Sequence, residues 1–331
     1  MKILFFSAKP YDRHFFQAHN VSQKFKLEFL ETHLGTHIVH AVPNGTDAIC
    51  VFVNDKLTAE VINVLAEKQV KVIALRCAGF NNVDLEAARR HGIKVCRVPA
   101  YSPEAVAEHA AAMLLTVNRK VHKAYNRVRE QNFSLNGLLG FNLYGKTVGI
   151  IGLGKIGKAF YNIMKGFGCS IIVFDPFAAD TQSNAGIEFV SLEALLANAD
   201  IISLHCPLTP ENHYLINETT IRQMKKGVTI INTSRGGLIN TKEVIEALKS
   251  GQIANLAIDV YEQEEKLFFK DLSAEIIGDD MIQRLMSFPN VLVTGHQAFF
   301  TKEALDQIAS TTLHSVHEIL NGRQPEAVML D

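Results

Sequence analysis

The sequence predicts an α/β protein built from two lobes, and three observations carry that prediction. The 331 residues exceed what a single hydrophobic core usually holds. Short apolar runs alternate with amphipathic stretches along the whole chain, which is typical of βαβ units around mainly parallel sheets. These runs are too numerous for one ordinary sheet. The alternation is interrupted by two prolines at residues 98–103, which indicates the boundary between the lobes.

The apolar runs are predicted to be buried strands. In the first lobe they occupy residues 3–6, 48–53, 72–75 and 95–98; in the second they occupy 148–151, 171–174, 201–204, 228–231, 256–258 and 291–293. The first run is too short for the apolar region of a signal peptide, because Lys9 and Pro10 end it early.

Two helices are predicted from their terminal residues and their periodicity. Ser102 suits the N-cap of a helix and Pro103 its first position. The Ala- and Leu-rich stretch that follows, residues 105 to about 128, is predicted to be one long helix. Apolar residues recur at helical spacing from 305 to 320, and Gly322 lies where a helix often ends.

Composition excludes several classes of function. Lys plus Arg is 33 and Asp plus Glu is 34, so the net charge of −1 predicts no binding to nucleic acid or to an anionic membrane. The five cysteines show no CxxC spacing, which argues against a disulfide framework or a zinc site. No apolar run is as long as a membrane-spanning helix. We expect a cytoplasmic protein with a small-molecule partner and no metal.

Residues 140–147 match the GxxxxGK[ST] pattern of a phosphate-binding P-loop. A P-loop needs a strand before it and a helix after it, so that the helix N-terminus faces the phosphates. Here the predicted strand at 148–151 follows the pattern, and nothing like a strand precedes it. We therefore interpret this segment as a turn that leads into a strand.

A second glycine pattern has the correct context. Gly152, Gly154 and Gly157 form GxGxxG between the strand at 148–151 and a helical stretch at 158–167. The first glycine permits a tight turn, the second lets a pyrophosphate approach the backbone, and the third lets helix and strand pack closely. The N–H groups at the start of the helix then attract the phosphates. The pattern predicts a dinucleotide site.

The next strand indicates which dinucleotide binds. It ends at Asp175, where the Rossmann pattern places an acid that accepts hydrogen bonds from the ribose hydroxyls. A carboxylate repels the 2′-phosphate of NADP, and residues 166–221 contain no Lys or Arg to attract it. The sequence therefore favours NAD as the cofactor.

Three polar segments each follow a predicted strand of the second lobe. They are Asn-Thr-Ser-Arg-Gly-Gly at 232–237, Asp-Val-Tyr-Glu-Gln-Glu at 259–264 and Thr-Gly-His-Gln-Ala-Phe at 294–299. With the late position of the glycine motif, they make the chain resemble the D-isomer specific 2-hydroxyacid dehydrogenase family over essentially its whole length. An insertion at 267–280 makes it most similar to the fermentative D-lactate dehydrogenases.

The resemblance implies a domain organisation. A Rossmann NAD-binding domain at residues 101–299 would be inserted in a flavodoxin-like α/β substrate domain formed by residues 1–100 and 300–331. The cleft between the domains would close on the substrate and exclude water. The family also implies a homo-oligomer, either a dimer or a tetramer.

The resemblance implies NADH-dependent, reversible reduction of pyruvate to D-lactate. Arg235 would bind the substrate carboxylate, for which its planar fork of donors is suited. His296 would donate the proton, because an imidazole has an ordinary pKa near neutrality. Glu264 would orient that ring; of the neighbouring acids, Glu262 and Glu265 do not align with the family's catalytic position.

The family's remaining positions fall on residues of both lobes. Those implied to contact NAD, besides the three glycines and Asp175, are Lys155, Ile156, His205, Cys206, Pro207, Asn212, Thr233, Ser234 and Asp259. Those implied to contact the substrate, besides Arg235, are Ala78, Gly79, Tyr101 and Phe299. On chemistry alone, His205 is a rival for the acid–base role.

Several alternatives stay open. The aromatic pair Tyr101 and Phe299 suits the methyl group of pyruvate, but it also suits a somewhat larger 2-oxo acid, since one methylene changes binding by only about 1–3 kcal/mol. A phosphoglycerate enzyme is disfavoured because residues 78–84 supply no cation for a phosphate. A formate dehydrogenase would not need the Arg-Glu-His set. A non-catalytic, NADH-sensing binding protein is the alternative from another class.

Overall fold

The structure, a computed structural model, describes residues 1–177 and 186–325, and the backbone of 329–330. The chain divides into two compact units. Met1–Ser102 and Phe300–Asp331 form the first, and Pro103–Phe299 form the second. Each unit contains its own sheet.

Strands and helices mostly alternate along the chain, as the sequence predicts. The strands are β1 (Lys2–Phe5), β2 (Lys26–Phe29), β3 (Ala48–Val51), β4 (Val72–Leu75), β5 (Lys94–Arg97), β6 (Thr147–Ile151), β7 (Ser170–Phe174), β8 (Glu188–Phe189), β9 (Ile201–Leu204), β10 (Val228–Asn232), β11 (Ile253–Ile258), β12 (Val291–Val293) and β13 (Met329–Leu330). The helices are α1 (Pro10–His19), α2 (Ala59–Glu67), α3 (Leu85–Arg90), α4 (Pro103–Arg119), α5 (Val121–Arg129), α6 (Lys155–Gly166), α7 (Leu192–Asn198), α8 (Glu218–Gln223), α9 (Thr241–Ser250), α10 (Asp280–Ser287) and α11 (Lys302–Leu320).

The first unit contains a sheet with the strand order β13-β5-β4-β3-β1-β2. Strands β1 to β5 are parallel, and β13 adds an antiparallel edge. The parallel part has the 2-1-3-4-5 order of flavodoxin-like folds. Every residue of β3 and β4 is buried, because helices cover both faces of a parallel sheet.

The second unit contains a parallel sheet with the order β12-β11-β10-β9-β6-β7-β8. Numbered from β6, its first six strands have the 3-2-1-4-5-6 order of a Rossmann fold, and β12 extends the edge. The order reverses between β6 and β9, and open α/β sheets bind their ligands outside the carboxyl ends of the strands at such a point. The α/β class with two mainly parallel sheets is therefore confirmed.

Three short strands were not predicted, and all three lie at sheet edges. Strand β2 has no buried residue, and β8 and β13 are two residues long. An edge strand is half solvated, so its sequence lacks the continuous apolar run that marks a central strand.

The prediction of one long helix at 105–128 is wrong, because the chain breaks at Lys120. That residue has φ of 50°, which is left-handed and ends α4 before α5 begins. Asn118 lies just before the break, and its side chain exchanges two hydrogen bonds with the backbone of Phe141. Helix α5 has no buried residue, so it lacks the core contacts that would hold it in line with α4.

The glycine pattern at 140–147 is part of the same contact. A Cβ atom at Gly140 would lie 2.7 Å from the carbonyl oxygen of Asn118, so glycine permits the close approach of this segment to α4. Strand β6 begins at Thr147, directly at the end of the pattern. Within the described ranges, no helix is both long and apolar enough to cross a membrane.

The C-terminal helix α11 ends in a Schellman motif. Gly322, just past the helix, has φ of 73°. Its N–H donates to the carbonyl of Ile319 at 3.0 Å, and the N–H of Arg323 donates to that of Glu318 at 2.9 Å. Glycine adopts this left-handed conformation without the steric cost that a Cβ atom adds.

We expect Gly322→Ala to destabilise the protein by about 1 kcal/mol, because alanine is disfavoured at a left-handed position. Gly35→Ala is the control, since Gly35 has neither a positive φ nor any atom within 4 Å of an added Cβ. Urea denaturation followed by circular dichroism should show a lower midpoint for Gly322→Ala alone. Equal midpoints would contradict this role for Gly322.

Candidate active site

The three residues predicted to perform the chemistry follow three neighbouring strands of the second sheet. Arg235 follows β10, Glu264 follows β11 and His296 follows β12. These strands are parallel and adjacent, so their carboxyl ends lie at the same end of the sheet. The sheet therefore places the three segments at the same end of the unit.

A hydrogen bond joins His296 to Glu264. The distance from His296 Nδ1 to Glu264 Oε1 is 2.8 Å, and the two side chains are 21% and 22% exposed. An ionised carboxylate only accepts hydrogen bonds, so this contact keeps a hydrogen on Nδ1 and leaves Nε2 to exchange a proton. The other oxygen, Oε2, accepts from the backbone N–H of Tyr261 at 3.0 Å, which fixes the carboxylate.

His296 has a left-handed backbone conformation, with φ of 55°. Buried Asp259 holds the turn around it. One carboxylate oxygen accepts from Thr294 Oγ1 at 2.5 Å and from the N–H of Gln297 at 2.9 Å. The second oxygen accepts from the N–H of Ala298 at 2.8 Å. The His296 N–H donates to the Asp259 carbonyl at 2.7 Å. Asp259, which the family resemblance implies to contact NAD, uses both carboxylate oxygens to hold this turn.

The carboxylate of Asp259 also faces His109 of α4, whose Nε2 lies 3.4 Å from Oδ1 and 3.2 Å from Thr294 Oγ1. Burial by itself would raise the pKa of Asp259, but the hydrogen bonds from His109, Thr294 and the two backbone amides outweigh it and hold the pKa below its usual value. Asp259 therefore stays charged while it anchors the turn.

Arg235 is half-buried and has donors to spare. Its Nη1 donates to the carbonyl of Ser234 at 2.7 Å, and its own carbonyl accepts from Asn232 Nδ2 at 2.8 Å. In the part of the chain that the structure describes, no carboxylate forms an ion pair with its guanidinium. The remaining N–H groups are suited to a planar anion such as a carboxylate.

A glycine connects the Arg235 segment to the Glu264 segment. A Cβ atom at Gly236 would lie 2.1 Å from the carbonyl carbon of Tyr261, so only glycine permits this backbone contact. The hydroxyl of Tyr261 donates to Asp279, which in turn caps α10. Sequence reasoning missed Asp279, although an Asp pair before an amphipathic stretch is a helix-start signal. It also missed His109, whose position in an apolar helix gave no functional signal.

The glycine motif has the geometry of a phosphate-binding turn. Gly152 has φ of 94°, and a Cβ atom there would lie 2.6 Å from the N atom of Cys206. A Cβ at Gly157 would lie 2.1 Å from the carbonyl oxygen of Gly152, so α6 packs directly on the turn. A Cβ at Gly154, in contrast, would meet nothing within 4 Å, so the space beside it is open.

The start of α6 leaves its backbone donors to a ligand. Gly154 is the N-cap and offers no side-chain acceptor, and Lys155 and Ile156 form the first turn. Asp175 lies beside the turn: Oδ2 accepts from the N–H of Leu153 at 2.6 Å. Among the described residues, no acceptor binds the N–H groups of Lys155 and Ile156. With the open space at Gly154 and the adjacent acid, they fit the pyrophosphate and ribose of a dinucleotide.

The other predicted cofactor residues lie on the loops after β9 and β10. Asn212 closes the first loop, because it accepts from the N–H of Thr209 at 2.8 Å and donates to the carbonyl of Pro207 at 2.7 Å. Ser234 Oγ donates to the carbonyl of Cys206 at 2.5 Å and joins the two loops. Among the described residues, buried Thr233 Oγ1 has no hydrogen-bond partner, which leaves it available to a ligand.

His205 and Cys206 do not fit an acid–base or nucleophilic role. Burial lowers the pKa of His205 to about 3, so its ring is neutral at physiological pH. Its Nε2 lies 2.9 Å from Ser203 Oγ. Burial raises the pKa of Cys206 to about 11, which keeps it a thiol. His296 is therefore the better candidate for proton transfer.

The predicted substrate residues are divided between the units. Phe299 belongs to the second unit and is 7% exposed. Ala78, Gly79 and half-buried Tyr101 belong to the first. Arg97 Nη1 donates to the carbonyl of Ala78 at 2.8 Å, which fixes that loop from within its own unit.

Comparison with known proteins identifies the family. Residues 111–298 match the family described as "D-isomer specific 2-hydroxyacid dehydrogenase, NAD binding domain". The chain belongs to the D-isomer specific 2-hydroxyacid dehydrogenases. It is 52% identical to the D-lactate dehydrogenase of Escherichia coli K12 over 322 residues, which cover 97% of this chain and 98% of the relative.

Solved structures agree. The apo structure of the Escherichia coli D-lactate dehydrogenase superimposes with a TM-score of 0.91 at 49% identity, covering 100% of both chains. The Lactobacillus jensenii D-lactate dehydrogenase solved with NAD⁺ gives a TM-score of 0.84 at 30% identity, again over 100% of both chains. Family membership confirms the predictions of an oxidoreductase that reduces 2-oxo acids and of NAD as its cofactor.

Two glycine substitutions should separate packing from cofactor binding. We expect Gly157→Ala to lower both thermal stability and NADH affinity, because its Cβ would collide with the Gly152 carbonyl. Gly154→Ala should leave stability unchanged and weaken NADH binding by tenfold or more, on the order of 1.4 kcal/mol, because its Cβ occupies the space expected for the pyrophosphate.

Gly166→Ala, near the end of the same helix, is the matched control, because nothing lies within 4 Å of its added Cβ. Thermal melts and NADH fluorescence titrations measure the two effects. Normal NADH affinity in Gly154→Ala would show that the cofactor does not lie on this turn.

Proposed function

We propose that the protein reduces pyruvate to D-lactate with NADH, with Arg235 holding the substrate carboxylate and His296 donating the proton. The observation that carries the proposal is the hydrogen bond from His296 Nδ1 to Glu264 at the sheet edge that also holds Arg235. The likeness to the Escherichia coli D-lactate dehydrogenase supports pyruvate as the substrate.

The imidazole of His296 performs the proton transfer. NADH, when bound on the glycine turn, supplies the hydride to the carbonyl carbon. Protonated His296 donates its Nε2 hydrogen to the carbonyl oxygen, and Glu264 stabilises the positive charge of the ring before the transfer. In the oxidation of D-lactate the neutral ring accepts the hydroxyl proton, and the same carboxylate favours the charge that forms.

The guanidinium of Arg235 orients the substrate. Its N–H groups match the two oxygens of a carboxylate, so one bidentate contact fixes the plane of the 2-oxo acid. Its attachment through Gly236 to the backbone of Tyr261 keeps the clamp in register with Glu264. A lysine offers one point charge and no such fork.

The first unit would complete substrate recognition. Ala78 and Gly79 are proposed to offer backbone N–H groups to the substrate carboxylate. Tyr101 and Phe299 are each proposed to contact the methyl group of the substrate. Arg97 supports this role because it fixes the Ala78 carbonyl at 2.8 Å and its guanidinium lies 4.8 Å above the Phe80 ring. The rings of Tyr101 and Phe299 suit the methyl group of pyruvate and also a somewhat larger 2-oxo acid, so assays with both substrates decide the chain length.

His296→Ala should lower kcat for pyruvate reduction by about 10²–10⁴, the usual contribution of a general acid. His205→Gln should retain kcat within about tenfold and raise the KM for NADH, because His205 is neutral and lies among the cofactor residues. NADH absorbance with a chirality assay of the product measures both. If the two variants lost kcat equally, the result would contradict the assignment of His296 as the proton donor.

Other outcomes would change the proposal. Activity with bulkier 2-oxo acids alone would retain the mechanism and replace the substrate. Tight NADH binding without turnover of any 2-oxo acid would favour an NADH-sensing binding protein.

We propose that the protein assembles with copies of itself through the segment 121–139. Helix α5 and the loop after it expose a group of large apolar side chains: Val121, Tyr125, Val128, Phe133, Leu135 and Leu139, between 49% and 87% exposed. Large apolar side chains exposed this closely together in the sequence are typical of a protein interface.

Replacing both Leu135 and Leu139 with Asp should convert the oligomer into a monomer, because two charges would have to be buried. Ile276→Asp is the control, since Ile276 is 99% exposed and lies elsewhere. Light scattering after size-exclusion chromatography gives the mass. A monomeric unmodified protein, or an unchanged mass for the double variant, would refute this interface.

We also propose that the enzyme works in the cytoplasm. In the part of the chain that the structure describes, buried Cys50 and Cys96 form no disulfide, which suits a reducing compartment.

A further inference from the structure

The segment after Glu264 brings an aromatic ring against the imidazole of His296. The ring centroids of Phe269 and His296 are 5.8 Å apart, with 38° between the planes. This separation is within the range of direct ring contact. Phe269 lies in the insertion at 267–280 that the sequence singled out, and neither the proton transfer nor the substrate clamp uses it.

The backbone at Phe269 is strained. Its φ is 63°, a left-handed conformation that is unfavourable for a bulky side chain. Such a conformation persists only where the surrounding structure imposes it, and strained residues concentrate at functional sites. Here Leu267 and Phe268, the two preceding residues, pack against the core of the second unit. Both of their N–H groups donate to the carbonyl of Glu264 at 2.9 Å.

The same short segment therefore carries both groups that contact the imidazole. Glu264 begins the 3₁₀ helix Glu264–Lys266, and Phe269 follows three residues after that helix ends. Glu264 forms the hydrogen bond to Nδ1, while the ring of Phe269 lies against the imidazole. About a fifth of the His296 side chain and of the Glu264 side chain is exposed, so water competes for the hydrogen bond between them.

We propose that Phe269 is a positioning residue for His296: its ring restricts rotation of the imidazole and shields the hydrogen bond to Glu264 from water. This inference rests on the proposed role of His296 as the proton donor. A fixed imidazole presents Nε2 to the substrate oxygen in every turnover, and a shielded carboxylate stabilises the imidazolium more strongly.

Two substitutions separate the ring from the strained backbone. Phe269→Ala removes the ring and keeps a Cβ at φ of 63°, whereas Phe269→Gly removes the ring and relieves the strain. We expect both to lower kcat for pyruvate reduction by about tenfold, with the KM for NADH unchanged. The glycine variant should melt at the same temperature as the alanine variant or higher.

Phe269→Tyr retains the ring and should recover most of the activity. Ile276→Ala, in the same insertion and 99% exposed, should match the unmodified enzyme. If Phe269 merely supported the fold, activity and melting temperature would fall together, and the glycine variant would be the more active of the two truncations.

A double-mutant cycle tests the route of the effect. If Phe269 acts through the His296–Glu264 bond, its removal should cost about tenfold in the unmodified enzyme but less than about twofold in a Glu264→Gln background. The same tenfold factor in both backgrounds would overturn the proposal, as would a Phe269→Ala enzyme as active as Ile276→Ala.

Failure of the underlying function has a different signature. If His296 is not the acid, then His296→Ala and Glu264→Gln will keep full activity, whatever happens at Phe269. A slow His296→Ala enzyme together with a fully active Phe269→Ala enzyme refutes the positioning role alone.

Discussion

The buried carboxylate of Asp259 is the constraint on which the candidate active site depends. It lies at the end of β11 with no solvent contact, so its charge requires hydrogen-bond donors. Thr294 and the amides of Gln297 and Ala298 provide them, and by doing so they fold the chain after β12 into the turn that holds His296 in a left-handed conformation. Removing either the charge or its donors would release the turn. A residue with no solvent contact thus determines where His296, the proposed proton donor, lies.

The sheet of the second unit brings the three candidate catalytic residues together. Arg235, Glu264 and His296 are far apart in the sequence, yet each follows one of three adjacent parallel strands. Strand pairing places the three segments side by side at the same end of the sheet, and local contacts then fix them against one another. The contact of Gly236 with Tyr261 fixes the first segment against the second, and the hydrogen bond from His296 to Glu264 fixes the third. The glycine turn at Gly152, the candidate cofactor site, forms separately, through close glycine packing where the strand order reverses.

Features encoded by local pattern could be predicted from the sequence, whereas those set by tertiary packing could not. The central strands are apolar runs, and β4, β9 and β12 have the predicted bounds. The glycine motif and Asp175 have fixed spacing, so they too were predictable. The break at Lys120 was not, because it depends on the contact between Asn118 and Phe141, distant in sequence. For Asp259 the family pattern indicated the position, but the bonds to the turn after β12 depend on the packing of two strands. The positive φ of Phe269 could not be predicted either, because phenylalanine gives no indication of a left-handed backbone.

The bond from Asp175 to the glycine turn has a consequence for engineering cofactor preference. Exchanging NAD for NADP usually begins by replacing the acid at this position with a small or neutral residue, so that a 2′-phosphate is no longer repelled. In this protein the same carboxylate accepts from the N–H of Leu153 at 2.6 Å, inside the turn itself. Replacement by Ala or Gly would remove the repulsion and would also remove an acceptor that holds the turn proposed to bind the pyrophosphate. Asn or Ser keeps an acceptor there. A redesign that preserves this tether, and places a cation on a neighbouring residue, has the better starting point.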